Sequence, residues 1–287
     1  MGKIVRALSA DGSVLCSAIN STDIVNEIFR IHNTTPVASA ALGRLATAGC
    51  IMGAMLKGED DKLTLKLNGG GPSGNIVVAA DYRGNVKCYA ENPQVDLPLK
   101  PTGKLDVSGA VGTNGNLFVT KDLGLKEPYI GMTPIISGEI AEDFTNYFAT
   151  SEQTPTVVAL GVLVDKNGVK AAGGYLITLM PDAGEEEIVK IETALKNADS
   201  ISKMLDDGKE LIEIAETVTG ESNLMYFEYD NIPSYECNCS KEKMEKSLIT
   251  IGKEEIKDII ENEQIKSALI KIKMHPDSRP DARTDTI

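Results

Sequence analysis

Apolar positions recur along this chain at two different periods, and the two periods mark its elements. Residues 4–8 and 14–19 carry short strand-like runs flanking Asp11-Gly12, a turn dipeptide that predicts a hairpin. Ile24, Ile28 and Ile31 then fall on one face at helical spacing, with Ser21 or Thr22 placed to cap the helix. A second helix is predicted from Thr35 as N-cap and Pro36 at its first position, ending near Leu56-Lys57-Gly58. Almost every residue from 36 to 56 is apolar or small, which raises the question of a membrane span. Arg44 lies inside the stretch, and Ala and Gly gain little on transfer to lipid, so a closely packed buried helix is the better reading.

Strands dominate the next segment. Runs at 63–67, 75–80, 86–90, 117–121 and 129–136 alternate or are continuously apolar, and a helix is expected at 139–150. Strands at 157–164 and 169–178 are joined by Asp165-Lys166-Asn167-Gly168, a strong hairpin signal. The glycine run Asn68-Gly69-Gly70-Gly71-Pro72-Ser73-Gly74 lacks the Gly-Lys-Ser/Thr ending of a phosphate loop and is followed by a strand, so it reads as a tight turn. The fold class is therefore α+β, with a mixed, largely antiparallel sheet and packed helices over residues 1–180.

The pattern changes after Met180-Pro181. Asp182 with Glu185 resembles a capping box, and Ile188, Ile191 and Leu195 share a helical face. Shorter helices are expected at 200–206 and 209–217, punctuated by Gly208 and Gly220, so residues 181–230 form a charged, amphipathic helical linker. Residues 231–265 hold Cys237 and Cys239 followed by a helical pair at 241–249 and 253–261, and residues 266–287 are expected to form a divergent, disordered tail, with no periodicity from His275 on.

Composition narrows the function. A formal charge of −13 opposes binding to nucleic acid, whose phosphates need a basic surface. The chain opens without a secretory signal pattern, and its five cysteines are an odd number, so a cytoplasmic protein without a disulfide framework is expected. Cys16, Cys50 and Cys88 sit among apolar neighbours and read as small buried hydrophobes. The two histidines, His32 and His275, lie in no recognisable motif, and no nucleophile elbow, zinc-protease or dinucleotide fingerprint occurs. An enzyme is not the expectation.

Cys237-Asn238-Cys239 is the distinctive chemistry. Two thiols at this spacing can share a soft metal ion such as Zn²⁺, which holds them deprotonated and reduced. Oxidation of the sulfurs removes their capacity as ligands.

Longer motifs carry a resemblance. Gly43-Arg44-Leu45-Ala46-Thr47-Ala48, Met55-Leu56-Lys57, the Gly-rich turn, Ala90-Glu91-Asn92-Pro93 and Ser137-Gly138-Glu139-Ile140-Ala141-Glu142-Asp143 are similar to the redox-regulated 33-kilodalton chaperonins, as are Tyr235-x-Cys237-x-Cys239-Ser240 and Gly252-Lys253-Glu254-Glu255. The resemblance runs from about residue 3 to about residue 262. It implies an α+β domain, a helical linker and a small zinc domain in which four thiolates, a Cys-x-Cys and a later Cys-x-x-Cys, bind the metal. It further implies a holding chaperone, active as a homodimer, that binds unfolding client proteins once oxidant has turned the thiols into disulfides and the linker loses order.

One departure matters. No cysteine follows Cys239, and the tail after about residue 263 resembles nothing in the family. Cys237 and Cys239 supply two of four ligands, with His275 the conceivable third, so the resemblance implies a weakened switch. The rival readings are a thiol–disulfide oxidoreductase using Cys237 and Cys239, and a constitutive, unswitched protein-binding module.

Overall fold

The chain begins with the expected hairpin, β1 (Lys3–Leu8) and β2 (Val14–Asn20), pairing Lys3 with Asn20 through Leu8 with Leu15. α1 (Thr22–His32) and α2 (Pro36–Gly53) follow. Thr35 caps α2 as its sequence predicts, accepting the Ala38 N–H at 3.4 Å. The helix stops at Gly53, a turn earlier than expected, and Asp61 then receives the Gly58 N–H at 2.8 Å to close the loop. Every residue of α2 but Pro36 and Arg44 is buried, so it is the central helix of the fold.

A second sheet is built from β3 (Lys62–Asn68), β4 (Ile76–Asp81) and β5 (Val86–Ala90), then α3 (Val107–Val111), β6 (Asn116–Asp122) and β7 (Tyr129–Pro134). α4 (Ala141–Thr150) leads to the long hairpin β8 (Thr156–Asp165) and β9 (Gly168–Leu179), which turns where Asp165 meets Gly168. α5 (Glu185–Asn197), α6 (Ile201–Asp206), α7 (Leu211–Thr219) and β10 (Met225–Phe227) follow, and α8 (Lys241–Ile251) comes after the Cys-x-Cys segment.

In this computed structural model the described residues are 3–181, 183–227, 229–237, 240–254 and 256–257. The strands form two five-stranded sheets, ordered β10-β1-β2-β9-β8 and β5-β4-β3-β6-β7, with every strand pair antiparallel. The α+β class with largely antiparallel sheets is therefore as the sequence predicts. By backbone contacts the chain divides at Met1–Glu236 and Cys237–Ile287, so α5–α7 belong with the sheets that precede them. In the second unit α8 is helical, as are 253–254 and 256–257; Cys239, the rest of the second expected helix and the tail with His275 lie outside the described residues. No helix among the described residues is long and apolar enough to cross a membrane.

The two sheets differ in how they are covered. β3 alternates buried and open positions, Leu63, Leu65 and Leu67 facing α2 while Lys62 and Lys66 face water. β9 is buried without a break from Ala171 to Ile177, the signature of a strand covered on both faces. One face of its sheet joins α2 and the other sheet in the main core through Ile4, Ile19, Leu160, Ala172 and Leu176. The opposite face forms a second core with α5–α7.

Two further points depart from the sequence reading, and one agrees with it. α3 and β10 were not expected, because five and three residues are too short to display a period. α5 is capped by Gly184, whose N–H donates to the Glu187 carboxylate at 2.9 Å, two positions beyond the Asp182–Glu185 box. The Gly-rich turn docks on α3: the Gly71 and Ser73 amides donate to Val111 and Ala110 carbonyls at 2.9 Å each. Amides that a phosphate would need are already spent there.

Candidate functional site

The first candidate is the covered sheet face. Alternation along the strands points Val5 and Ala7 of β1, Val14, Cys16 and Ala18 of β2, and Tyr175 and Ile177 of β9 to one side. Onto these residues α6 lays Ile201 and Met204, and α7 lays Leu211, Ile214, Ala215 and Val218, all buried. Two glycines permit the close approach. A Cβ on Gly161 would stand 2.8 Å from Ile201 Cγ2 and 3.0 Å from Ser202, and one on Gly173 would stand 2.4 Å from Leu205 Cδ1.

The cover is thin at its edge. α5 buries Ile191 alone, while Val189 is 61% and Ile188 39% exposed. Its first turn carries Glu185, Glu186 and Glu187, and Lys190 pairs with Glu221. Exposed ion pairs of this kind contribute roughly 0–1 kcal/mol, so apolar burial by α6 and α7 supplies most of the attachment. Beneath the cover lies a continuous aliphatic and aromatic surface, the chemistry that unfolded chains bind.

The second candidate is the thiol site. Cys237 opens the second unit and is exposed. Cys239, its expected partner, lies outside the described residues. Among the described residues no three His, Cys, Asp or Glu side chains come together to hold a metal ion. Cys237 and Cys239 supply two thiolates, which do not fill a tetrahedral zinc site unaided.

The other cysteines separate into two kinds. Cys16 and Cys50 are fully buried, as expected; burial pushes the Cys16 thiol up to about 12 and raises that of Cys50 further. Cys88 corrects the expectation, because it is only half-buried and its Sγ lies 3.9 Å from His32 Nε2. The same imidazole nitrogen is 2.9 Å from the Tyr235 hydroxyl. Sequence reasoning passed over this trio because its members are separated by up to 203 positions, and no local pattern joins them. The covered sheet face, by contrast, has a sequence signal: the unbroken apolar and small run of β9 already marks a strand with two buried faces.

Comparison with known proteins adds to this geometry. The family model described as Hsp33 protein matches residues 2–268. The "33 kDa chaperonin" of Clostridium botulinum (strain Eklund 17B / Type B) is 49% identical over 268 residues, covering 92% of this chain and 90% of that one. The "33 kDa chaperonin" of Geobacillus sp. (strain WCH70) is 50% identical over 262 residues, with 91% and 88% covered. Among solved structures, the 33 kDa chaperonin (heat shock protein 33 homolog) of Thermotoga maritima superposes with a TM-score of 0.80 at 35% identity, covering 89% of this chain and 87% of that chain.

Proposed function

The chain belongs to the Hsp33 family and is a chaperone, and we propose that it works as a holdase whose client-binding face is the sheet surface under α5–α7. The observation that carries this reading is the double covering of one sheet: a core sheet face closed by short amphipathic helices, two of them six and nine residues long. Helices this short are marginal in water on their own and depend on packing for their order. Any event that loosens them exposes a large apolar surface, and the charge of −13 keeps such a species dispersed.

Cys237 and Cys239 are the redox element in this proposal. A Cys-x-Cys thiol pair responds to peroxide or hypochlorite by forming a disulfide, Cys237 is exposed to the oxidant, and the helices that precede the pair are the bistable element the change biases. With two thiolates where the resemblance implies four, the metal lock is weak and resting activity is higher than in a fully ligated relative. The working form is a homodimer in the cytoplasm, without a nucleic-acid or membrane partner. The rival oxidoreductase has less support, because the strand pairs of both sheets are antiparallel and offer no parallel βαβ unit of the thioredoxin type.

Light scattering from a thermally unfolding client, with the chain reduced and then treated with peroxide, tests the holdase. Suppression above that of an inert protein supports it, and equal suppression in both states identifies the unswitched binding module. Scattering no lower than with the inert protein in either state overturns the proposal.

A further inference from the structure

Residues 229–236 run along the free edge of β5 as a strap. The Val86 N–H donates to the Ser234 carbonyl and the Glu236 N–H to the Val86 carbonyl, both at 2.9 Å, which makes a parallel bridge between Val86 and Tyr235. The Ser234 amide and hydroxyl donate to Asn85 Oδ1 at 3.1 and 3.0 Å, and the Tyr229 hydroxyl donates to the Tyr82 carbonyl at 3.1 Å. A hydroxyl–imidazole contact adds to the attachment, Tyr235 to His32 at 2.9 Å. Cys88 pairs with the fully buried Val78, so its side chain points to this same inner face and meets the same nitrogen at 3.9 Å.

We propose that Cys88 is an oxidant-responsive modification site, activated by His32, whose oxidation unlatches the 229–236 strap. An imidazole within reach of a thiol accepts its proton and stabilises the thiolate, which is the reactive form. Cys16 and Cys50, fully enclosed in apolar surroundings, have no such neighbour at that distance among the described residues. With a peroxide as oxidant, the Cys88 thiolate attacks one peroxide oxygen. The S–O bond forms as the O–O bond breaks, and sulfur gives up two electrons. The departing hydroxide takes the proton held by the His32 imidazolium and leaves as water, so that Cys88 becomes a sulfenic acid beside a neutral imidazole. The added hydroxyl occupies the gap between Sγ and Nε2 and competes with Tyr235 for the one nitrogen both face. Losing that contact removes one of the side-chain attachments of the strap, while the backbone bonds at Val86 and the Asn85 and Tyr82 contacts remain.

This inference does not require Cys237 or Cys239, so it is tested in the full chain carrying Cys237→Ser and Cys239→Ser. Residue-resolved alkylation by iodoacetamide under native conditions is expected to label Cys88 about tenfold faster at pH 7 than Cys16 or Cys50, with an inflection below the ordinary thiol value of about 8.5. In His32→Gln the Cys88 rate is expected to fall several-fold and its inflection to return toward that of an ordinary thiol. Peroxide should give a dimedone adduct at Cys88 and speed chymotryptic cleavage after Tyr235, and Cys88→Ala should abolish that acceleration. An ordinary inflection in the parent chain overturns the proposal even if His32→Gln fails to fold. So does a Cys88 rate unchanged in a folded His32→Gln, or cleavage that accelerates equally in Cys88→Ala.

Discussion

Replacing Gly161 is the sharpest way to lift the helical cover without altering the face beneath it. The residue sits within β8, and its missing side chain is the space α6 occupies. An added Cβ meets Ile201 Cγ2 at 2.8 Å and Ser202 Cβ and N at 3.0 Å, and all three atoms belong to α6. Alanine or valine suits a strand better than glycine, so the cost falls on the docked helix and not on β8 itself. Crowding of this kind costs about 1 kcal/mol for Gly161→Ala and about 3 kcal/mol for Gly161→Val, which shifts the docked-to-undocked ratio roughly fivefold and 150-fold. Hydrogen exchange followed by mass spectrometry reads the effect in peptides covering 200–208, with peptides from β3 and β6 as the control for global unfolding. Exchange should rise in the α6 peptides alone, and suppression of client aggregation without oxidant should rise in the order parent, Ala, Val. Equal rises in β3 and β6 would refute the claim that the cover is a separable element. Undocking without a gain in activity would refute the claim that clients bind beneath it.

Other outcomes follow from the same contacts. Zinc content and thiol titration on the purified chain should give well under one metal per chain, since two thiolates do not close a tetrahedral site; one zinc per chain would mean that ligands from elsewhere, such as a second chain, complete it. The buried Asp143 carboxylate accepts amide N–H groups of Ile136, Ser137 and Ile140 at 2.8, 3.0 and 2.9 Å. Asp143→Ala orphans these donors and should lower stability by about 3 kcal/mol, or roughly 6–12 °C in Tm; a loss under about 1 kcal/mol contradicts that role. Burial alone would raise the pKa of Glu139, but hydrogen bonds from Lys100 at 2.5 Å and Arg44 at 2.7 Å outweigh it and hold the carboxylate below its ordinary 4.5. Because the folded value is the lower one, this stabilisation is present above pH 4.5 and disappears as pH falls through the folded value. The difference in urea midpoint between the parent and Glu139→Gln should accordingly shrink on acidification, and a difference that holds constant to pH 3 would remove Glu139 from the network.

Local patterns made much of this fold legible. The Asp11-Gly12 and Asp165–Gly168 turns, the Thr35-Pro36 helix start and the alternation of Leu63, Leu65 and Leu67 each specify one element, and each appears where it is expected. What stayed illegible depends on distance along the chain. α6 rests on Gly161 and Gly173, but a glycine in a strand reads as a weakness until the helix above it is known. The strap from Tyr229 to Glu236 takes its structure from the edge of β5, well over a hundred positions away, and has no periodicity of its own. Cys88 and His32 looked ordinary for the same reason. Their chemistry arises only when α1, β5 and the strap converge on one nitrogen. The thiol pair was the reverse case, conspicuous in sequence, with Cys237 exposed and Cys239 outside the described residues.

The location of the client face is the centre of this account, and a cross-linking measurement at Tyr175 addresses it directly. Tyr175 is 6% exposed, lying on the covered side of β9. A photoreactive phenylalanine analogue placed there, in a chain first exposed to peroxide and mild heat and then mixed with an unfolding client, should cross-link that client in high yield. The same analogue at Phe118, on the open face of the other sheet, should do so weakly. A client held in solution with cross-links only from position 118, or with none from 175, would contradict the claim that α5–α7 conceal the binding face.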